Sequence, residues 1–161
     1  MDIREQMSKE GSKVTWQENG CFVCGESNDF GLHLEFDVDP ATHVSRSKVV
    51  FDKKYQGWDN IVHGGILAAV LDDTMAYALM SLDTMGITTQ LTVKYRKPVK
   101  VGETLHLEGS VEKVKSRLAY ARAVGYVIEN DDKIIKVEAE GSFYLDHPDH
   151  PDHPDQSAKG G

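Results

Sequence analysis

Residues 62–80, VHGGILAAVLDDTMAYALM, put a histidine and two glycines ahead of one of the most apolar helical segments in the chain, with two carboxylates, Asp72 and Asp73, in its middle. Glycine is the poorest helix former after proline, so the pair must serve something other than helix propensity. From Gly64 to Leu82 the apolar positions (Ile66, Leu67, Val70, Leu71, Met75, Leu79 among them) cover more than one stripe, and alanines fill much of the rest. A helix that is apolar nearly all round is buried, not laid on a surface. The spacing predicts one central helix over 64–82.

The flanking sequence reads as strands. Leu32, Leu34, Phe36 and Val38 alternate with His33, Glu35, Asp37 and Asp39, a half-buried strand that Pro40 ends. A second alternating run covers Val44–Phe51, and four more follow Gly86, at Thr88–Lys97, Glu103–Lys115, Leu118–Glu129 and Lys133–Leu145. Turn-forming residues sit at each joint. About six antiparallel strands around one buried helix make an α+β domain, with the sheet curved about the helix.

Composition sets the outer limits. The 161 residues suit one domain. A domain is expected over 21–146, an extension over 1–20, and a disordered tail over 147–161, where three His-Pro-Asp repeats forbid regular pairing. No run approaches the roughly 18 to 20 apolar residues of a membrane span, and the charged start lacks the apolar core of a secretory signal. A cytoplasmic protein without membrane contact is expected. A net charge of −8 argues against binding nucleic acid. Cys21 and Cys24 form one Cys-x-x-Cys pair with no second pair to close a zinc site. They are read as reduced cysteines in a tight turn, with a metal site completed by His33 and a second subunit left open.

The first four N–H groups of a helix lack intrahelical partners, and the macrodipole places partial positive charge there. Gly64 and Gly65 remove the side chains that would screen those donors from a ligand oxygen, the requirement for an oxyanion hole; close packing at a sharp turn is the plainer explanation. Asp72 falls seven residues after Gly65 on roughly the same side, some 10 Å further along by the helical rise. One subunit therefore cannot bring both to one carbonyl, whereas a two-fold pairing of helices can. Asp73, about 100° further round, is expected to be solvated or paired with Lys94 or Arg96.

The segments YQGWDNIVHGGILAAVLDDTMAYA and TTQLTVKYRKPVKVGETL, with the CFVCG opening, resemble the hotdog-fold acyl-CoA thioesterases of the PaaI-like, 4-hydroxybenzoyl-CoA thioesterase type over about Cys21–Leu145. The resemblance implies a helix wrapped by an antiparallel sheet, a homodimer joined edge to edge or a homotetramer, and active sites at the dimer interface. It implies an acyl-CoA substrate hydrolysed to a carboxylate and CoA without cofactor or metal. Carried over, the Gly64 N–H, with or without that of Gly65, polarises the thioester carbonyl, and Asp72 of the partner chain acts as base or nucleophile. His63 holds the loop and the thioester end, and Thr88 or Thr89 positions water. Some relatives have an Asn six residues before the His, where this chain has Gly57, with Gln56 and Asn60 nearby. Trp58 is a candidate for the acyl pocket, and Arg96 and Lys97, with Lys94 and Lys100, for the CoA phosphates. Three rivals stand beside this reading: a non-catalytic acyl-CoA binding or sensing module, a hotdog hydratase or dehydratase acting on a carbon–carbon double bond, and, weakest, a zinc-binding structural protein.

Overall fold

A computed structural model describes residues 19–146. The tail at 147–161, and all of the 1–20 extension except its last two residues, lie outside the described residues. The chain forms strand β1 (Asp37–Asp39), strand β2 (Val44–Val50), a short 3-10 turn (Lys53–Tyr55) and helix α1 (Gly64–Met80). Strands β3 (Met85–Tyr95), β4 (Thr104–Lys115), β5 (Leu118–Glu129) and β6 (Asp132–Asp146) follow. All pairings are antiparallel, in the order β1-β2-β4-β5-β6-β3. The sheet curves about α1, which packs against β2 through β6. This is the hotdog fold. Among the described residues no helix is long and apolar enough to cross a membrane.

Val70, Leu71, Met75 and Leu79 on α1 are fully buried, as are Leu105, Leu107, Val137, Phe143 and Leu145 from the sheet. Each such side chain contributes roughly 1.5–3 kcal/mol by leaving water. At one point the helix backbone itself touches the sheet. The Ser45 hydroxyl donates to the Thr74 carbonyl, and the Thr74 hydroxyl donates to the Val70 carbonyl. A Cβ on Gly109 would lie 2.7 Å from that Thr74 oxygen, so only glycine lets β4 approach so closely.

Several boundaries differ from the sequence reading by one or more residues, three of them with a clear physical cause. The helix stops at Met80, where Ser81 closes it by donating its N–H and hydroxyl to the Ala78 carbonyl, and Asp83 then turns left-handed. Strand β3 begins at Met85, three residues early, because its first residues pair with the end of β6. The alternating stretch at 32–39 pairs with β2 only over Asp37–Asp39. His33 has φ +53, and the Leu32 and Leu34 N–H groups donate instead to the carbonyls of Phe22 and Val23, both at 2.8 Å. The period-two pattern matched the burial of this stretch, but its partner is the cysteine turn.

Candidate active site

The loop entering α1 is stitched into the core on both sides. The Val62 N–H donates to the Val99 carbonyl, and the His63 N–H to the Tyr55 carbonyl. This leaves the His63 ring free to cap the helix: its Nδ1 accepts from the Gly65 N–H at 2.9 Å, which fixes Nδ1 as the unprotonated nitrogen. The ring borders a cavity of about 370 Å³ with Lys54, Tyr55, Gln56, Gly65 and Ile66.

The two glycines are therefore not equivalent. The Gly65 N–H, left open as a second donor, already has an acceptor in the His63 ring. A Cβ there would lie 3.1 Å from His63 Nδ1, so its bareness admits the capping ring. The Gly64 N–H has no acceptor among the described residues. Its carbonyl accepts from the Tyr95 hydroxyl at 2.8 Å, and an added Cβ would meet the Tyr95 ring at 3.3 Å. Sequence reasoning missed Tyr95. The alternation of β3 marks it only as an exposed strand-end residue, and its link to Gly64 depends on tertiary packing.

Further along α1, the Thr88 hydroxyl donates to Asp72 Oδ1 at 2.8 Å. The register of β3 against β6 slips between Thr88 and Gln90. This bulge turns Thr88 toward the helix and Thr89 away from it; Thr89 shares its hydroxyl with the carbonyl and hydroxyl of Ser142 instead. Half-burial pushes the Asp72 carboxyl above the ordinary carboxylate range, and the Thr88 hydrogen bond offsets part of that shift. Strand β3 is an edge of the sheet, so Asp72 lies next to backbone groups available to another strand.

Asp73 departs from its expectation. It does not pair with Lys94 or Arg96; it is half-buried on the opposite flank of the helix, with Cys21 Sγ 3.7 Å from its Oδ1. Arg96 is taken by Glu138 at 2.6 Å. Lys94, Lys97 and Lys100 are exposed. Trp58 is 83% exposed, and Asn60 holds a left-handed turn with φ 59, its carbonyl accepting from the Val101 N–H. His33 is bound to its own loop, Nε2 lying 2.7 Å from the Asn28 carbonyl, so within this chain it does not join the cysteines. Tyr77 stacks on Phe36 with ring centroids 4.2 Å apart, a packing role.

The arrangement thus offers a helix N-terminal donor at Gly64 and, two turns away, a half-buried carboxylate held by a hydroxyl. Comparison with known proteins sets it in context. Residues 59–132 match the family model described as the Thioesterase superfamily. Acyl-coenzyme A thioesterase THEM4 of Xenopus laevis is 27% identical over 88 residues, 55% of this chain and 39% of that protein. The chain thus spans about two fifths of the length of the curated relatives it matches. Among solved structures, the thioesterase superfamily protein RHA08564 superposes with a TM-score of 0.71 at 24% identity, covering 88% of this chain and 76% of that one. The protein smu.793 of Streptococcus mutans UA159, solved bound to acetyl CoA, gives 0.63 at 14% identity over 70% and 88% of the two chains. Over residues 59–132, a segment that holds the helix entry, the helix and the first long strands, the chain is thus similar to the thioesterase superfamily.

Proposed function

We propose that the chain is an acyl-CoA thioesterase that acts as a homodimer, each site combining the Gly64 N–H of one protomer with Asp72 of the other. The observation that carries this reading is the Asp72–Thr88 pair. A carboxylate half-withdrawn from water, with a hydroxyl to orient it and no cation paired with it among the described residues, is poised to take a proton. The separation of Asp72 from the helix N-terminus requires two chains, and β3 supplies an edge through which they can pair. Two such dimers can assemble further into a tetramer.

In the proposed reaction the thioester carbonyl oxygen accepts from the Gly64 N–H, where the helix dipole favours developing negative charge. Asp72 removes a proton from a water held with Thr88 as the water oxygen attacks the carbonyl carbon. The tetrahedral intermediate collapses with rupture of the carbon–sulfur bond, and the CoA thiolate leaves and is protonated. His63 acts by holding the entry loop, and the cavity beside it receives the thioester end. Asn60 and Trp58 stand at the mouth of that loop. Lys97 and Lys100 offer charge for the CoA phosphates, with Arg96 held in place by Glu138. The acetyl CoA bound by the streptococcal relative and the name of the frog relative support this substrate class. Two free cysteines fit a reducing compartment such as the cytoplasm.

The test is hydrolysis of short, medium and aromatic acyl-CoAs, followed with a thiol reagent, in wild type and Asp72→Ala. Release of CoA by the wild type, reduced by two to four orders of magnitude in the variant, is expected. Equal rates would remove Asp72 from the mechanism; tight acyl-CoA binding without turnover would indicate a binding module.

A further inference from the structure

We propose that Cys21, Cys24 and Asp73 form a site for one soft divalent cation of the zinc class, joining the N-terminal turn to the middle of α1. One ligand atom from each of the three residues lies within 4.8 Å of the others. Cys21 Sγ and Asp73 Oδ1 are already 3.7 Å apart. Two ligands of a tetrahedral zinc with bonds of about 2.0–2.3 Å lie some 3.6 Å apart, so the Cys21–Asp73 pair is already at ligand spacing and the other separations need to contract by about 1 Å at most.

Three features around the cluster suit a metal better than plain packing. Each sulfur faces an N–H donor: Val23 N–H to Cys21 Sγ at 3.3 Å, and Asn19 Nδ2 to Cys24 Sγ at 3.6 Å. Such donors stabilise a thiolate, the form that binds metal. The turn that brings the sulfurs together closes so tightly that a Cβ on Gly25 would lie 2.4 Å from the Asn19 carbonyl oxygen and 2.4 Å from the Cys21 nitrogen. Finally, Asp73 Oδ2 is sealed from solvent and has no hydrogen-bond partner among the described residues, an expensive state for a carboxylate oxygen. A cation would satisfy it. Binding expels the thiol protons to solvent as the metal–sulfur bonds form. Three protein ligands leave the fourth tetrahedral position to a water.

The experiment is titration of the full-length chain, purified with a reductant and a chelator and then freed of the chelator, with Co²⁺ as a spectroscopic probe. One equivalent should bind with a strong thiolate-to-cobalt band in the near ultraviolet, and Zn²⁺ should abolish the band by displacement. The histidines of the tail at 147–161 can also hold cobalt, but imidazole gives no such band. Cys24→Ser should lose the band. Asp73→Asn, which keeps the shape of the side chain, should keep a thiolate band and bind at least tenfold more weakly. Zn²⁺ should raise the Tm of wild type more than that of Asp73→Asn. Cobalt binding without a thiolate band, wild-type affinity in Asp73→Asn, or a Cys21–Cys24 disulfide that persists under reductant would each overturn the site.

Discussion

The two flanks of α1 carry adjacent aspartates with opposite surroundings. Asp72, in line with Ala68 and Ala76, faces the edge strand and has a hydroxyl donor in Thr88. Asp73, in line with Ala69 and Tyr77, faces the cysteine turn and leaves one oxygen without a partner. Both carboxyls are raised by burial, yet only one lies beside an edge where a second chain and a substrate can meet it. One step along a helix turns a side chain by about 100°, enough to separate a carboxylate proposed to react from one locked against its own fold. The contrast is between access and burial, and it can be broken one residue at a time.

The largest expected effect is the contrast in kcat between the neighbours. Asp72→Asn should lower acyl-CoA hydrolysis by about 10³ with little change in KM, because the amide cannot take the proton. Asp73→Asn should stay within a few-fold of wild type. Comparable losses in both variants would show that the flanks are not functionally distinct.

Next in size is Gly64→Ala. The added methyl meets the Tyr95 ring and crowds the donor, and a lost oxyanion donor costs about 10² to 10³ in rate. Gly65→Ala presses on the His63 ring and leaves the Gly64 N–H in place, so its loss should be smaller. The reverse order would assign the free donor to Gly65.

These contrasts also show what the sequence could reveal. The buried helix, the long strands and the special character of His63-Gly64-Gly65 were legible because helix periodicity, strand alternation and the absence of a Cβ are local properties. The separation of Gly65 from Asp72 along one helix was legible too, since helical rise is fixed. The partner of Asp73 was not: no linear spacing connects Cys21 to a residue 52 positions later. Tyr95 was hidden for the same reason. The stretch at 32–36 shows an intermediate case, where alternation gave the burial and only the backbone turn at His33 decided the partner.

Thr88→Val tests how Asp72 is tuned. A general base must be ionised, so activity should fall as pH drops through the Asp72 pKa, with half-activity above the usual aspartate value of about 3.9. The Thr88 hydrogen bond favours the ionised form. Removing it should move the acid limb of the kcat profile to higher pH, with a several-fold loss near neutrality. An unmoved limb would show that Thr88 serves packing alone.

The smallest effect is on stability. Burial raises the Asp73 carboxyl in the folded state, only partly offset by hydrogen bonds from Cys24 and Cys21. Between the unfolded and folded pKa values the native state therefore binds more protons than the unfolded chain. By linkage, the stability this residue supports is present at pH below its unfolded value and is lost as pH rises through the folded one. At neutral pH the half-satisfied Asp73 opposes folding when no metal is bound, because the unfolded chain leaves its carboxylate solvated. In a chelator, Asp73→Asn should accordingly raise Tm by a few degrees at pH 7, and the gain should shrink toward pH 4. Saturating Zn²⁺ should reverse the ranking, because the cation turns the orphaned oxygen into a ligand. A pH-independent difference would mean that Asp73 gains its missing partner in solution, and the two flanks of the helix would then be more alike than their geometry indicates.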